Sequence, residues 1–463
     1  MFIGRDRELK FLEKQMKSHR FEMIPIYGRR RVGKTRLLEE FTKGKKTIFY
    51  TADQFGEISN LSNLSIAIND ILIHEGAHSV FPSFQTAFEA VADHAKVNSE
   101  PIVFIIDEYP YLAQTSPGVS SVLQRAIDKR YLELPNLMLI LTGSQMSFME
   151  HQVLGYQSPL YGRRTGQIKL QSLSFSEARQ FLPTTNIKDF LTIYGITGGI
   201  PLYLSMMSDS LSLRENIEDH ILTPNTLLYE EPRNLLLQEL RTPNRYNDVL
   251  IAIAGGATRL NEIAGKTDLD LSTAIKYIEA LVELDIVEKR MPIPKINKQK
   301  GIYYIKDGLF HFWYRYIPRH KNFLELGKLN YIWPRIEEDL IQFTSLIFED
   351  FCRDWILLNS PMLLQDVGGW WGNNPLIKNA KSTAEEVDII GIGLEKEELV
   401  VGECKWKNEK TDLSVGEKLV ERANFFPYLK KDLYIFSKSE FTTGLQEYAE
   451  KHNIKLIRFE DMV

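Results

Sequence analysis

The chain has 463 residues, of which 44% are hydrophobic and 25% are charged, and its formal net charge is −5 at pH 7. This length suffices for about three domains, and the negative charge limits any nucleic-acid surface to a local basic patch. Two cysteines, Cys352 and Cys404, exclude a disulfide framework and a cysteine-based zinc finger. With so few cysteines, we expect a protein of the reducing cytoplasm. We expect no signal peptide, because no basic segment followed by an apolar one begins the sequence, and no membrane span, because no apolar run approaches the roughly 18 residues of a transmembrane helix.

The first third of the chain alternates apolar strands with amphipathic helices, which is typical of a parallel sheet covered on both faces. The strands are predicted at 23–27, 47–51, 101–106, 137–142 and 167–170. The fold class predicted from this pattern is α/β.

A phosphate loop follows the first of these strands. Its sequence, Gly28-Arg29-Arg30-Arg31-Val32-Gly33-Lys34-Thr35, has the Gly-x4-Gly-Lys-Ser/Thr spacing and leads into a helix. In such a loop the backbone N–H groups face the phosphates, the lysine reaches the terminal phosphates and the threonine hydroxyl binds Mg²⁺. We therefore expect ATP and Mg²⁺ as cofactors. The predicted binding residues are Gly28, Arg31, Val32, Gly33, Lys34, Thr35 and Arg36.

Polar side chains end two further strands of this sheet. Asp107 is placed to hold the metal, and the adjacent Glu108 to polarise the attacking water as a general base, so hydrolysis is favoured over binding alone. The alternative is an exposed acidic strand end. Thr142 and Ser144 are candidates for sensing the γ-phosphate or orienting water, although turn-forming polar residues are common at strand ends.

Arg163 and Arg164 form a second group of candidates. A guanidinium here can stabilise the charge that develops on the transferred phosphate, as an arginine finger does. If it acts in trans, the protein must form a homo-oligomer. The alternative is a solvated pair of surface arginines.

These motifs resemble those of the archaeal-type ATPase family, which is related to the AAA+ and STAND ATPases. They are Phe2-Ile3-Gly4-Arg5, the phosphate loop, Ile106-Asp107-Glu108-Tyr109, Thr142-Gly143-Ser144, Ser158-Pro159-Leu160-Tyr161-Gly162-Arg163 and Gly198-Gly199-Ile200-Pro201. The resemblance covers about residues 1–240. It implies a five-stranded P-loop sheet of strand order 5-1-4-3-2, a helical lid, and adenine binding near Gly4 and Pro201.

Three helical patterns and a basic hairpin, from about 246 to 304, have the order of a winged helix-turn-helix. Ile275, Ile278 and Leu281 share the apolar face of its third helix. The residues predicted to contact nucleic acid are Ser272, Thr273, Lys276 and Tyr277 on that helix, and Lys289, Arg290, Lys295, Lys298 and Lys300 on the wing. The alternatives are a protein-binding module and a solvated basic edge. The aromatic run 310–316 either stacks bases or, as we favour, fills a core.

A second chemical site is predicted on a hairpin with strands at 387–392 and 399–406. If it folds symmetrically, Asp388 lies opposite Glu403, and Lys405 shares the face of Glu403. Facing carboxylates repel without a cation, so they imply Mg²⁺ or Mn²⁺. Lys405 can orient or deprotonate a water and stabilise a pentavalent phosphate. Glu349, on the preceding helix, is a further candidate ligand.

This last region, residues 336–463, resembles the restriction-endonuclease-like superfamily with its PD-(D/E)xK core, in the version that closes many archaeal-type ATPases. The resemblance rests on Gly368-Gly369-Trp370-Trp371-Gly372 and Glu403-Cys404-Lys405-Trp406, and Val387 stands where the superfamily has proline. The alternative is an acidic hairpin closed by a salt bridge to Lys405.

Five domains are predicted in all. They are a P-loop ATPase core at 1–172, a helical lid at 173–242, a winged helix at 243–308, an aromatic and basic connector at 309–335 and a restriction-endonuclease-like α/β domain at 336–463. We expect an ATPase coupled to a Mg²⁺-dependent nuclease that acts on DNA, or on RNA. The alternatives are an ATP-operated switch that binds nucleic acid or protein through an inactive nuclease fold, and a regulator of other proteins.

Overall fold

The computed structural model describes residues 2–72, 79–240, 242–294, 301–376, 384–395 and 397–463. The chain divides into two compact units. The N-terminal unit contains Met1–Phe181 and Ile200–Leu202, and the C-terminal unit contains Leu182–Gly199 and Tyr203–Val463. The four boundaries between the five predicted domains stay predictions, and the predicted lid at 173–242 contains residues of both units. In the described ranges, no helix combines the length and the apolar character needed to cross a membrane.

A five-stranded parallel sheet forms the centre of the N-terminal unit. Its strands are β1 (Glu22–Tyr27), β2 (Lys46–Thr51), β3 (Ile102–Asp107), β4 (Leu137–Gly143) and β5 (Ile168–Lys169). The order across the sheet is β2-β3-β4-β1-β5, and each neighbouring pair is parallel. Read from the opposite edge, this is the order 5-1-4-3-2, so the predicted P-loop sheet is confirmed.

Helices cover both faces of this sheet. They are α1 (Asp6–Met16), α2 (Lys34–Phe41), α3 (Glu57–Leu72), α4 (Phe84–Val97), α5 (Tyr109–Thr115), α6 (Val119–Lys129), α7 (Met146–Phe148) and α8 (Phe175–Arg179). Alternate residues of a strand point to opposite faces, so Ile24 and Val103 enter one core while Met23 and Phe104 enter the other. Because both faces are covered, β1, β3 and β4 are buried along their whole length.

The C-terminal unit contains most of the remaining helices. In chain order the helices are α9 (Ile187–Thr197), α10 (Pro201–Leu204), α11 (Leu213–Ile217), α12 (Leu227–Glu239), α13 (Pro243–Ala254), α14 (Leu260–Thr267), α15 (Leu271–Glu283), α16 (Gly308–Glu325), α17 (Leu329–Asn359), α18 (Leu413–Ala423) and α19 (Thr443–His452). The first residues of α10 belong to the N-terminal unit. Helices α13, α14 and α15 share one core with a short antiparallel pair of strands, β6 (Val287–Arg290) and β7 (Ile302–Ile305).

A second five-stranded sheet lies at the end of the chain. Its strands are β8 (Leu364–Asn373), β9 (Ala384–Gly393), β10 (Glu398–Lys405), β11 (Lys430–Ser437) and β12 (Ile454–Arg458), in the order β12-β11-β10-β9-β8. The pairs β8–β9 and β9–β10 are antiparallel, and the other two pairs are parallel. Strand β8 was not predicted, because its neighbouring glycines and half-exposed side chains hide the alternation of a strand.

The aromatic residues of α16 form part of a core. Phe310, Phe312, Tyr314 and Tyr316 are almost fully buried, and the indole Nε1 of Trp313 donates to a backbone carbonyl at 2.6 Å. Buried rings cannot stack on bases, so the core interpretation is correct and the base-stacking alternative is wrong.

His311, in the same helix, is held neutral by its surroundings. Its ring packs on Phe343, with ring centroids 5.0 Å apart. Burial and the positive charges of Arg315 and Arg290 lower the pKa of His311 to about 4, and the carboxylates of Asp350 and Asp339 only partly oppose this. In an unfolded chain the pKa of histidine is about 6.5.

Acidification should therefore destabilise the fold through His311. Between about pH 6.5 and 4 the unfolded chain binds a proton that the folded chain does not, so stability falls as the pH drops. We expect this loss to reach up to about 3 kcal/mol, and to be absent in His311→Gln. Denaturant titrations at several pH values measure it. An identical pH dependence in the variant and the wild type would contradict the assignment.

Candidate functional site

The phosphate loop connects β1 to α2 and depends on two glycines. A Cβ at Gly28 would lie 2.4 Å from the carbonyl oxygen of Leu170, which is too close for any side chain. Gly33 caps α2 with φ at 93°, in the left-handed region that favours glycine. The chain can therefore turn sharply from the buried strand into the helix, with the N-terminus of α2 at the loop.

Lys34 is buried at the start of α2 and folds over the loop. Its Nζ donates to the carbonyl oxygens of Gly28 at 2.9 Å and Arg29 at 3.1 Å. These bonds hold the ammonium group within the loop, from where a phosphate-loop lysine reaches the terminal phosphates.

Two threonines hold Asp107 at the end of β3. Thr35 Oγ1 donates to Asp107 Oδ2 at 3.2 Å, and the Thr142 hydroxyl donates to the other carboxylate oxygen. Burial raises the pKa of Asp107, and the neighbouring charge of Glu108 adds to this effect. A cation beside the carboxylate would offset that cost. Thr35 and Asp107 thus present the oxygen donors that fit Mg²⁺.

Glu108 is held in a fixed orientation by the end of β4. It caps α5 in a left-handed conformation, with φ at 52°. One carboxylate oxygen accepts from the Ser144 N–H at 3.1 Å and from the Ser144 Oγ at 2.9 Å, while the Glu108 N–H donates to Thr142 Oγ1 at 3.2 Å. In this structure Thr142 and Ser144 therefore position the two carboxylates. Their predicted contact with the γ-phosphate stays a prediction.

Arg5 is a functional candidate for which no role is predicted from the sequence. It is buried, and its Nη2 donates to the carbonyl oxygen of Val32 in the loop at 3.0 Å, while its N–H lies 3.4 Å from Glu177 Oε1. A Cβ on Gly4 would lie 2.9 Å from the same carboxylate oxygen. The segment before α1 is thereby fastened to the phosphate loop. No local pattern reveals this, because the partners are distant in sequence.

The remaining residues that are predicted to bind the nucleotide lie in buried, strained or exposed positions. Val32 is buried in the core beneath the sheet, and Arg31 adopts a left-handed conformation with φ at 69°. Arg36 is exposed and pairs with Glu39 at 2.7 Å. Pro201 lies beside the loop, since a Cβ on Gly33 would be 3.9 Å from its Cγ.

Arg163 is engaged inside its own unit. Its guanidinium forms two bonds of 2.7 Å with Asp128 on α6, and also donates to the carbonyl oxygens of Pro159 and Tyr161. The hydrogen bonds between them raise the pKa of Arg163 and lower that of Asp128. This arrangement fastens the loop before β5 and gives no support to an arginine finger, which stays a prediction.

The second candidate site lies where β9 and β10 pair. The register joins residues 399–402 to 392–389. Continued by one residue, it places Glu403 opposite Asp388, as the symmetric hairpin predicts. The Cys404 N–H donates to Asp388 Oδ2 at 2.8 Å, which holds that carboxylate against β10.

Glu403 is buried between two cations. One oxygen accepts from Lys405 Nζ at 2.6 Å, and the other from Arg422 Nη1 at 2.7 Å. Arg422, on α18, also bonds Glu385 at 3.2 Å. The salt bridge to Lys405 is the contact that the alternative interpretation describes. Arg422 was missed, because nothing in its own segment points to a partner on another element.

Glu349, on α17, completes a group of three carboxylates with Asp388 and Glu403. Burial and the charge of Asp388 raise the pKa of Glu349 to about 8. Burial and the charge of Glu403 raise the pKa of Asp388 to about 6. The charged forms of both carboxyl groups are therefore disfavoured in the folded protein, mainly by burial and also by the charge of a neighbouring carboxylate.

A divalent cation would find two suitable donors in this group. In the part of the chain that the structure describes, no set of three or more histidine, cysteine, aspartate or glutamate side chains is arranged to hold a metal ion. Mg²⁺ is commonly held by one or two carboxylates and keeps several waters. The opposed carboxylates of Asp388 and Glu403 fit that pattern, provided that Glu403 gives up an ion pair.

The predicted nucleic-acid residues of α15 are only partly available. Ser272 and Lys276 are exposed, and Thr273 is half-buried. Tyr277 packs edge-on against Tyr246, with ring centroids 4.8 Å apart, so its predicted outward position is wrong. The fully buried face of the helix consists of Ala274, Ile278 and Leu281, and Ile275 is only partly buried.

The structure also corrects the prediction for the wing. Lys289 is exposed on β6. Arg290 makes two bonds to Asp350, of 2.9 and 3.0 Å, pairs with Glu288 and lies over the ring of Tyr304. It is therefore not open to a phosphate, which corrects the prediction. Lys295, Lys298 and Lys300 lie outside the described residues.

Two protein-family models match the chain. A family described as an ATPase domain predominantly from Archaea matches residues 2–207. A second, described as "Archaea bacterial proteins of unknown function", matches residues 313–416. The first match includes the phosphate loop, Asp107 and Glu108. It shows that the N-terminal part of the chain is an ATP-binding ATPase domain.

Individual proteins are similar to all or part of this chain. The uncharacterized protein MJECL04 of Methanocaldococcus jannaschii is 30% identical over 98% of this chain and 95% of its own length. The uncharacterized ATP-binding protein MJ0423 of the same organism is 48% identical over 46 residues, 10% of this chain and 78% of its own. A Walker-type ATPase of Pyrococcus abyssi shares the fold with a TM-score of 0.51 and 20% identity, over 68% of this chain and 96% of its own. The chain therefore belongs to the same family as its full-length M. jannaschii relative, and its N-terminal domain is an archaeal-type P-loop ATPase.

Proposed function

We propose that ATP binding and hydrolysis in the N-terminal unit control a metal-dependent hydrolysis of nucleic-acid phosphodiester bonds in the C-terminal unit, with DNA as the favoured substrate and RNA as the alternative. The observation that carries the proposal is the second carboxylate site. Asp388 and Glu403 oppose one another with Lys405 on the same strand, in a chain whose ATPase domain has a separate set of catalytic candidates.

At the ATP site, each candidate has a distinct role. Lys34 binds the terminal phosphates, Thr35 and Asp107 hold Mg²⁺, and Glu108 takes the proton of the attacking water. The two bonds from Ser144 support this role for Glu108, because a general base must be oriented before the water arrives.

At the carboxylate site, Asp388 and Glu403 would hold a Mg²⁺ or Mn²⁺ ion. Such an ion supplies Lewis-acid activation of water and neutralises charge on the phosphate. The 2.6 Å bond between Lys405 and Glu403 keeps the amine as an ammonium ion, so Lys405 is suited to stabilising negative charge on the phosphate rather than to deprotonating water. Glu349 lies on the helix packed against this hairpin and is an additional ligand candidate.

The segment from α13 to β7 is proposed to be a winged helix that contacts nucleic acid. The order of three helices and an antiparallel pair supports this. Exposed Ser272, Lys276 and Lys289 are its candidate contacts in the described part of the chain, and Lys298 and Lys300 remain predicted contacts outside it.

If this segment contacts phosphates, the salt dependence of DNA binding should change on charge reversal. The double variant Lys276→Glu and Lys289→Glu removes up to two cationic contacts, and each lost contact should reduce the slope of log K against log salt by about 1. Binding is measured by fluorescence anisotropy at several salt concentrations. Lys10→Glu with Lys14→Glu, on exposed positions of α1, is the control. An unchanged slope in the first variant would favour the alternative interpretation, in which the hairpin is only a solvated basic edge.

One assay tests the central proposal. ATP turnover and strand cleavage are measured together with Mg²⁺ or Mn²⁺ on single-stranded, double-stranded and nicked DNA and on RNA. We expect cleavage of at least one substrate, dependent on the metal and altered by ATP. Absence of cleavage of every substrate under all nucleotide conditions would overturn the proposed nuclease.

A second function is favoured by one observation. Both oxygens of Glu403 are occupied, by Lys405 and by Arg422. A domain locked in this state would hold nucleic acid or a protein without cutting, and ATP would then operate a binding switch. Tight binding that changes with nucleotide, together with no cleavage, would identify this function.

A further inference from the structure

Arg353, on α17, makes three contacts at the carboxylate site. Its Nε donates to the backbone carbonyl oxygen of Asp388 at 2.9 Å, its Nη2 to Glu349 Oε2 at 3.1 Å, and its Nη1 to Asp350 Oδ1 at 2.5 Å. The guanidinium is largely buried, with 15% of its side chain exposed. One rigid group therefore fixes the spacing between α17 and β9.

The contact with Asp388 leaves the carboxylate available. Arg353 bonds the main chain of Asp388, and the Cys404 N–H takes only one of its two carboxylate oxygens. By contrast, both oxygens of Glu403 are bonded to cations. Arg353 thus places Asp388 without occupying either of its carboxylate oxygens, which is how groups behind a metal site act.

Asp350 links Arg353 to the β6–β7 hairpin. One of its oxygens accepts from both Arg353 and Arg290, and the other accepts from Arg290 alone. Arg290 is the wing residue that the sequence assigned to nucleic acid. The backbone of the same segment meets the sheet edge, where the Ile293 N–H donates to the Gly369 carbonyl oxygen at 3.0 Å.

We propose that Arg353 is a positioning residue of the Asp388–Glu403 metal site, and that Arg290 supports it through Asp350. This rests on the proposed metal-dependent function of that site. The hairpin then contributes to metal affinity although none of its side chains is a ligand. Loss of Asp350's charge should leave Arg353 less firmly placed and weaken the site.

The test is Mn²⁺ binding to the full-length protein without nucleotide. Binding is measured by the decrease of the EPR signal of the free ion. Asp350→Asn keeps the size of the side chain and removes its charge. We expect its dissociation constant for Mn²⁺ to rise by about tenfold, the lower end for partners behind metal ligands. Arg353→Lys keeps a charge but cannot make all three contacts, so we expect a rise in the same direction.

A matched control lies in the same unit, with its aspartate on the same helix, α17. Asp339, on α17, forms a two-bond pair with Arg315 on α16, but neither residue contacts the carboxylates of the site. We expect Asp339→Asn to bind Mn²⁺ like the wild type. Since its arginine is as buried as Arg353, this variant reports any general effect of removing such a pair.

The outcomes separate the two proposals. If the wild type binds Mn²⁺ more tightly than Asp388→Ala while Asp350→Asn matches the wild type, the positioning role is wrong and the metal site stands. If Asp339→Asn weakens binding as much as Asp350→Asn, the effect is general and the positioning role is wrong as well. If the wild type and Asp388→Ala bind equally, the metal site itself is overturned, and this inference with it.

Discussion

Replacing Glu108 with glutamine is expected to leave ATP binding intact and to slow ATP turnover by at least about a hundredfold. Glutamine fills the same space, and its amide can still bond to Ser144. It cannot, however, take a proton from water at neutral pH. The phosphate loop, Lys34 and Asp107 are unchanged, so the nucleotide should still bind.

Two measurements separate binding from turnover in this experiment. Binding is followed with a fluorescent ATP analogue, and turnover by phosphate release. Lys34→Ala is the opposite case, since it should lose binding and turnover together. Glu150→Gln is the matched control, because this glutamate is half-buried in the same unit and pairs with Lys169. Turnover of Glu108→Gln at the wild-type rate would remove Glu108 as the base.

The contacts of Ser144 allow a further variant to test how Glu108 is positioned, with the same two measurements. In Ser144→Ala the hydroxyl bond to Glu108 is lost while the N–H bond remains. An intermediate turnover rate with unchanged ATP binding would show that Ser144 acts through Glu108. This outcome would separate orientation of the base from direct contact with the γ-phosphate.

The N-terminal sheet was predictable because its strands are continuous apolar runs that end in functional residues. β1, β3 and β4 are buried on both faces, so local composition alone marks them. The phosphate loop and Asp107 follow directly from the ends of those strands. β8 has no such run, and its pairing with β9 depends on a segment elsewhere in the chain.

Arginines were the least predictable residues. Arg290 lies in a segment with the composition of a basic wing, yet its guanidinium is bonded to Asp350 on α17. Arg353 and Arg422 occupy helix positions with no motif, and each has a partner on a strand, β9 for Arg353 and β10 for Arg422. The role of a guanidinium depends on the acceptors that tertiary packing brings near it. Local sequence patterns do not identify those acceptors when they lie far away in the sequence. Asp388 and Glu403 could be paired only because a symmetric hairpin fixes its own register.

Replacing Asp388 with asparagine is expected to abolish metal-dependent cleavage while ATP turnover continues. The amide keeps the shape of the side chain but removes a negative charge from the proposed ion site. Loss of several kcal/mol of metal-based stabilisation corresponds to a rate decrease of at least about a hundredfold. The ATPase residues lie in the other unit and are unchanged.

Unfolding is not expected to explain this loss. Burial and the charge of Glu403 raise the pKa of Asp388 to about 6, so ionising this carboxyl costs more free energy in the folded protein than in the unfolded chain. Removing the charge should therefore leave the free energy of unfolding at pH 8 unchanged or slightly higher. Glu398→Gln is the control, because Glu398 lies at the other end of β10 and pairs with Lys430. If Asp388→Asn cleaves as fast as Glu398→Gln, the opposed carboxylates are only a structural ion-pair network and take no part in cleavage.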